Sequence, residues 1–170
     1  MAASVYQVNS GVDIPRKPMP QLFFSTDGPV LSLPYDQHAY LEKAVYLLPY
    51  EMYVSLAGKG VRVADPKKHK GFIRREGDLV RPADLGEHIT TVGLEYGMLH
   101  NGAVLRVGNA AMEITGKTTP PGAAYEVFGS RLERSLYGGK QEWWGLFAKV
   151  IEEGIIRPAD QILTLEYLNV

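Results

Sequence analysis

Short runs of β-branched and aromatic residues, each closed by Gly, Pro, Asn or Asp, recur along this chain, and runs of that kind read as strands. Ser4 to Asn9 is the first, with Val5, Gln7 and Val8 arranged around Tyr6. The segment from Asp13 to Pro20 carries Pro15, Pro18 and Pro20, which predicts an extended, semi-rigid loop. Gln21 to Ser25 and Pro29 to Leu33 read as two strands around the turn Thr26-Asp27-Gly28. Lys43 to Leu48 is a compact apolar run suited to a buried strand. Pro49 then suits a helix start, with Tyr50, Tyr53, Val54 and Leu56-Ala57 forming an apolar stripe until Gly58. Further strands are predicted at Glu87 to Val92, Ala103 to Val107 and Ala111 to Thr115, the last two joined by the hairpin pair Gly108-Asn109. Trp144 to Ile151 and Gln161 to Leu168 complete the set.

One longer pattern has a different period. Tyr125, Phe128, Leu132 and Leu136 share one face of a helix running from Pro121 to Tyr137. Pro121 suits its first turn, Gly138-Gly139 its exit, and Gly129-Ser130 predicts a break into two short helices. Many short strands, few helices and no βαβ rhythm predict a single, mainly β domain, a barrel or a sandwich.

The chain has 170 residues, with Lys+Arg 18 against Asp+Glu 19 and a formal charge of −1. That balance supplies no global attraction to nucleic acid or to an anionic membrane surface. Neither a signal peptide nor a spanning apolar stretch is legible, so a cytoplasmic location is expected. Cysteine changes the picture most, because there is none. Disulfides, thiolate metal sites and a cysteine nucleophile are therefore excluded. His38, His69, His88 and His100 fall at no metal-ligand spacing, and no Ser-His-Asp arrangement is legible. One stretch, residues 59–81, is strongly basic: Lys59, Arg62, Lys67, Lys68, Lys70, Arg74, Arg75 and Arg81 face only Asp65, Glu76 and Asp78. It reads as a solvated surface excursion, with an anion-binding or partner-binding patch as the alternative.

Several segments, taken in order, resemble the MOSC domain, the family named after the C-terminal domain of molybdenum cofactor sulfurase. Val5-Tyr6-Gln7-Val8-Asn9 followed by Arg16-Lys17-Pro18-Met19-Pro20 is similar to its first strand and Val-Pro-Lys-Leu-Pro loop. His38 to Leu47 resembles its His-Gly-Gly segment with both glycines lost. Gly86-Glu87-His88-Ile89-Thr90 is similar to its Gly-Glu-Asn-Leu-Thr motif, His88 standing for asparagine. Gly102 to Gly108 with Met112 to Thr115 resembles its central hairpin, and Trp144 to Val150 with Asp160-Gln161-Ile162 its last strands. Ala159 stands where the family commonly has glycine, and the resemblance spans residues 4–163 with 59–81 as an insertion.

This resemblance implies a closed β-barrel similar to the small barrel of pyruvate kinase, decorated by short helices. It also implies a cysteine near the start of the helix that follows the Glu-x-Thr strand, and Pro121 occupies that place here. Thr118 and Thr119 are expected to cap the helix rather than act as nucleophiles. The residues expected at a ligand site are Arg16, Lys17, His38, Glu87, His88, Thr90, Thr118 and Thr119. Each also has an ordinary structural reading, and Trp143, Trp144 and Tyr125 read as core or rim packing. Three functions stay open: a pocket for an anionic small molecule or molybdenum-cofactor-type ligand without sulfur transfer, a molybdenum- or pyridoxal-phosphate-associated enzyme using the same pocket, and a structural or interaction module working through residues 59–81.

Overall fold

In the computed structural model, which describes residues 2–11, 16–29, 45–68, 74–137 and 143–165, the apolar run after residue 44 becomes a strand with both faces buried. This strand, β5 (Val45–Pro49), sends Val45 and Leu47 into one hydrophobic cluster and Tyr46 and Leu48 into another. A strand alternates its side chains between two faces, so an uninterrupted apolar run demands cover on both sides.

The first cluster lies within the main sheet, whose order is β11-β7-β8-β9-β5-β6-β1-β2. Its strands are β1 (Ser4–Ser10), β2 (Lys17–Met19), β5, β6 (Ile89–Val92), β7 (Val104–Val107), β8 (Ala110–Thr118), β9 (Gly145–Glu152) and β11 (Ile162–Leu165). Pairing is antiparallel except between β5 and β6, where Leu47 faces Ile89 and Leu48 faces Thr90. Val5, Val8, Leu47, Ile89, Leu105, Met112, Leu146 and Ala148 fill this interior. A smaller sheet of β3 (Leu22–Ser25), β4 (Gly28–Pro29) and β10 (Gly154–Ile156) adds Leu22, Phe24 and Ile156.

The main sheet is not closed into a barrel. Its ladder ends at β11 and β2, because β1 divides its outer edge between two partners. Val8 to Ser10 pair with β2. The start of β1 meets the chain entering β11, with Val5 N–H donating to the Asp160 carbonyl over 2.8 Å, Ala159 N–H to Val5 over 2.7 Å and an isolated bridge from Ser4 to Gln161. The proline-rich segment, predicted as a loop, thus contributes an edge strand at Lys17–Met19, with Pro18 on the edge, where the absence of an N–H costs least.

The second cluster lies between the sheet and three helices, α1 (Tyr50–Gly58), α2 (Gly122–Phe128) and α3 (Ser130–Tyr137). Met52, Tyr53 and Leu56 enter it from α1, and Ala124, Val127, Phe128, Leu132 and Leu136 from α2 and α3. Val54, placed on the predicted stripe, is instead 56% exposed. The break predicted at Gly129 is present, with φ +73°. The predicted hairpin is also present: Val107 pairs with Ala110 across Gly108-Asn109. Gly108 has φ +55° and lies so close to the Asp160 carboxylate that a side chain there would collide with it.

Residues 59–81 are not a purely solvated excursion. Val61, Val63 and Val80 are buried in the helix-side cluster, and Arg62 bridges to Leu79. Arg74 is 4% exposed and donates through Nη1 to both carboxylate oxygens of Asp84, itself 1% exposed. Three valines among the cations gave the segment an apolar side that charge counting overlooks. Among the described residues, no helix is long and apolar enough to cross a membrane.

Candidate functional site

Arg16, Glu87, His88 and Thr90 come together where β1, β5 and β6 lie side by side, and all four are buried. Glu87 is fully enclosed. Its Oε2 accepts the Tyr53 hydroxyl at 2.6 Å, and its Oε1 accepts Ala83 N–H at 2.8 Å and the Thr90 hydroxyl at 2.7 Å. Burial pushes the Glu87 carboxyl up from its ordinary value, while these donors pull the other way. The backbone carbonyl of Glu87 accepts from Asn9 Nδ2 at 3.2 Å, and Asn9 Oδ1 accepts from Gln7 at 2.7 Å.

His88 is held from both sides of its residue. Its N–H donates to the Tyr46 carbonyl at 2.8 Å, while its Nδ1 accepts Tyr46 N–H at 2.9 Å. An accepting Nδ1 fixes the neutral tautomer with the proton on Nε2. Burial, with the Arg16 guanidinium as a second cause, pushes the imidazole well below its ordinary 6.5. The imidazole therefore bridges the parallel strands β5 and β6 as an uncharged acceptor. Arg16 donates Nε–H to the Gly86 carbonyl at 2.6 Å and Nη1–H to the Gly11 carbonyl, and its own N–H reaches the Ala83 carbonyl at 2.9 Å. The guanidinium clamps the two chain segments that flank β1 and β6.

The other expected residues lie elsewhere. Lys17 is exposed on β2, opposite Ser10. Thr118 ends β8 opposite Gly145, and four strands of the sheet separate β8 from β2. His38 lies outside the described residues. Neither threonine caps α2: the N-cap is Pro121, which has no side-chain hydrogen bond, and the Thr118 hydroxyl donates to the Thr119 carbonyl at 3.2 Å. Pro121 stands one residue before the helix, with φ −67° and an extended ψ of 158°, and so leaves the first turn to Gly122. It is exposed, and its carbonyl accepts Ala124 N–H at 2.9 Å.

Tyr46 and Tyr53 belong to this region and carried no functional signal in the sequence, since both read as apolar filling of a strand and a helix. Tyr53 completes the Glu87 shell. Tyr46 lies in the same layer as Tyr125, Tyr137 and Trp143, and burial followed by the Glu87 carboxylate holds its phenol well above its ordinary value. The arrangement is a buried polar frame beside β5 and β6, and Tyr46 also belongs to the layer packed by α2 and α3.

The fold has solved counterparts. YiiM from Geobacillus stearothermophilus superposes with a TM-score of 0.66 at 16% identity, covering 96% of this chain and 75% of that one. YiiM from Escherichia coli gives 0.63 at 20% identity, covering 100% and 72%. The YuaD protein from Bacillus subtilis gives 0.67 at 17% identity, covering 95% and 94%. Among curated proteins no sequence relative matches. The family model of the MOSC domain matches residues 34–163, most of the sequence. On that match and this architecture, the chain belongs to the MOSC domain family.

Proposed function

We propose that this protein is a binding member of its family, holding an anionic small molecule or a molybdenum-cofactor-type ligand without carrying sulfur on a cysteine of its own. The observation that supports this reading is Pro121. The position where the family resemblance implies a cysteine is an exposed helix N-cap, and it bears a side chain with no nucleophile, donor or metal-binding atom. No other residue replaces the thiol, because the chain contains no cysteine. A helix start stabilises a thiolate where one is present, so the substitution removes the chemistry and keeps the backbone geometry.

The donor set fits the organic part of such a ligand better than its metal. Among the described residues, no group of three or more His, Asp or Glu is placed to hold a metal ion. Hydrogen-bonding and cationic groups are available on the outside of the frame: Thr118 and Thr119 at the end of β8, and Lys17 on β2. These are two alternative anchor points, given the four strands between them. Arg16, Glu87, His88 and Thr90 serve the reading as scaffold, since each is buried and bonded to the backbone or to a neighbouring side chain. When bound, a molybdenum cofactor would supply redox chemistry that the side chains lack.

The test is native purification followed by elemental analysis for molybdenum, mass spectrometry for pterin species and a cyanolysis assay for labile sulfur. The expected result is a retained ligand and no labile sulfur, with retention lowered by either Lys17→Ala or the pair Thr118→Ala and Thr119→Ala. Protein that takes up no such ligand on incubation, or that mobilises sulfur from a persulfide donor, would overturn the proposal.

A further inference from the structure

Four phenols and an indole share the helix-side layer, and one of the phenols, Tyr53, is already committed to Glu87. Tyr46 is 5% exposed, and its ring packs against Phe147 with centroids 5.7 Å apart. Gly145 makes room for it: a Cβ there would overlap the Tyr46 ring and come within 2.8 Å of the Leu47 carbonyl oxygen. The Tyr46 hydroxyl is buried and has no hydrogen-bond partner among the described residues. That is an exception in this layer, where Tyr53, Glu87 and Thr90 all find partners. A buried hydroxyl left unpaired is costly, and Phe would fill the same space without that cost.

Tyr125 on α2, Tyr137 on α3 and Trp143 are half-buried members of the same cluster. The Tyr125 and Tyr137 hydroxyls stand 3.5 Å apart, a long contact that leaves unused capacity on both oxygens. The charged groups that act on these phenols are carboxylates: Glu87 on Tyr46 and Glu133 on Tyr125. Burial is the larger cause in each case and keeps both phenols protonated, with their lone pairs available. Among the described residues, the nearby cations have other partners: Lys59 Nζ donates to the Ser135 carbonyl at 3.0 Å, the Arg131 guanidinium lies beside Gly60, and Lys117 Nζ sits over the Trp144 ring, 4.4 Å from its centroid.

Aromatic faces present negative electrostatic potential to a cation, and nearby carboxylates add to it. An anion would meet the opposite. We infer that Tyr46, Tyr125, Tyr137 and Trp143 form a binding site for a small organic ammonium ion, its N–H groups donating to the phenol oxygens and its apolar part resting on the rings. This site is separate in chemistry from the anionic ligand proposed above and stands or falls without it.

The experiment compares three probes that share one ring and differ in charge: benzylammonium, benzyl alcohol and benzoate. Each is titrated into the wild-type protein and Tyr46→Phe, followed by tryptophan fluorescence and by aromatic NMR shifts. Benzylammonium should bind in the millimolar range or better, benzoate should not, and Tyr46→Phe should weaken benzylammonium roughly tenfold, the value of one hydrogen bond to a charged group. Without ligand, Tyr46→Phe should melt no lower than wild type, which separates binding from folding. Failure of benzylammonium to bind, equal binding of benzoate, or equal affinity in Tyr46→Phe would each overturn the inference.

Discussion

The Tyr53 hydroxyl donates to Glu87 Oε2 over 2.6 Å in an interior that neither residue leaves, Tyr53 being 2% and Glu87 0% exposed. A carboxylate is tolerated there because every bond it accepts comes from a group already fixed by the fold: α1 for Tyr53, β6 for Thr90 and the turn at Ala83. Removing Glu87 orphans three buried donors, whereas removing the Tyr53 hydroxyl orphans one carboxylate oxygen. Tyr53→Phe should therefore lower stability by about 1–3 kcal/mol, and Glu87→Ala by roughly 3 kcal/mol or more. Urea melts of both variants check this order. A Glu87→Ala protein as stable as Tyr53→Phe would show that the donors find other partners.

His88 makes stability depend on pH, and the sign follows from the direction of its shift. The folded imidazole is held well below the ordinary 6.5, so the folded state binds its proton less tightly than the unfolded chain does. The contribution is fully present above about pH 6.5 and is lost as pH falls from there toward the folded value. Asparagine keeps an oxygen that can accept Tyr46 N–H but cannot titrate. His88→Asn should lose less melting temperature than wild type between pH 7 and pH 5. Glu87 acts with the opposite sign but is common to both proteins, so it cancels in the comparison. Parallel melting curves across that range would remove His88 from the account.

Asp84 shows the reverse sign. Burial raises its carboxyl to about 6 against the lowering pull of Arg74, so the folded state favours the protonated form more than the unfolded chain does. Its contribution is present below the ordinary 3.8 and fades as pH rises through about 6. Deleting the carboxyl is a different matter, because the Arg74 guanidinium would remain buried with its partner gone. Asp84→Ala should cost about 3–5 kcal/mol at neutral pH, measured by chemical denaturation. Arg74→Met with Asp84→Asn together should recover part of that loss. A single variant no weaker than the double one would deny that the pair acts as a unit.

The elements were largely legible from the chain, for identifiable reasons. The β7–β8 hairpin rests on Gly108, the α2–α3 break on Gly129 and β5 on an apolar run, each a local signal that tertiary packing had no reason to override. The main sheet's edges were less legible, because whether β1 pairs along its length with β11 or gives half its edge to β2 depends on loop geometry that no local pattern encodes. At the site, the sequence points to eight residues, of which the structure brings Arg16, Glu87, His88 and Thr90 together and buries them, while Lys17, Thr118 and Thr119 lie elsewhere. Polar residue types suggest exposure, and these four are enclosed because Thr90 bonds Glu87 while Arg16 and His88 bond backbone groups. Tyr46 was missed for the converse reason: in an apolar strand, its ring accounts for its presence and hides its hydroxyl.

Ala159 turns a sequence departure into a measurable strain. It stands where the family resemblance implies glycine, and its φ is +72°, the left-handed region that L side chains enter at a cost of about 1–2 kcal/mol. The conformation is held because Ala159 N–H donates to Val5 and the following Asp160 carbonyl accepts from it, joining β1 to the entry of β11. Ala159→Gly should raise stability by up to about 1 kcal/mol, the released strain less the greater freedom of glycine in the unfolded chain. Thermal melts suffice, and a destabilised variant would mean that the alanine methyl contributes packing that outweighs its backbone strain.

Pro121 offers the sharpest chemical test, since the missing group can be put back. Its φ of −67° and ψ of 158° suit any L residue, and the side chain is exposed, so Pro121→Cys should fold with little change in stability. A thiol at this N-cap would lie at the start of α2, at the positive end of the helix dipole, which favours thiolate. Its pKa should lie below the ordinary value of about 8.5. The rate of alkylation by iodoacetamide between pH 5 and 10 reads that midpoint directly, free of interference because the wild-type chain has no cysteine. A midpoint at or above the ordinary value would mean that the helix start does not activate a thiol, and that losing the cysteine here cost the protein no favourable environment.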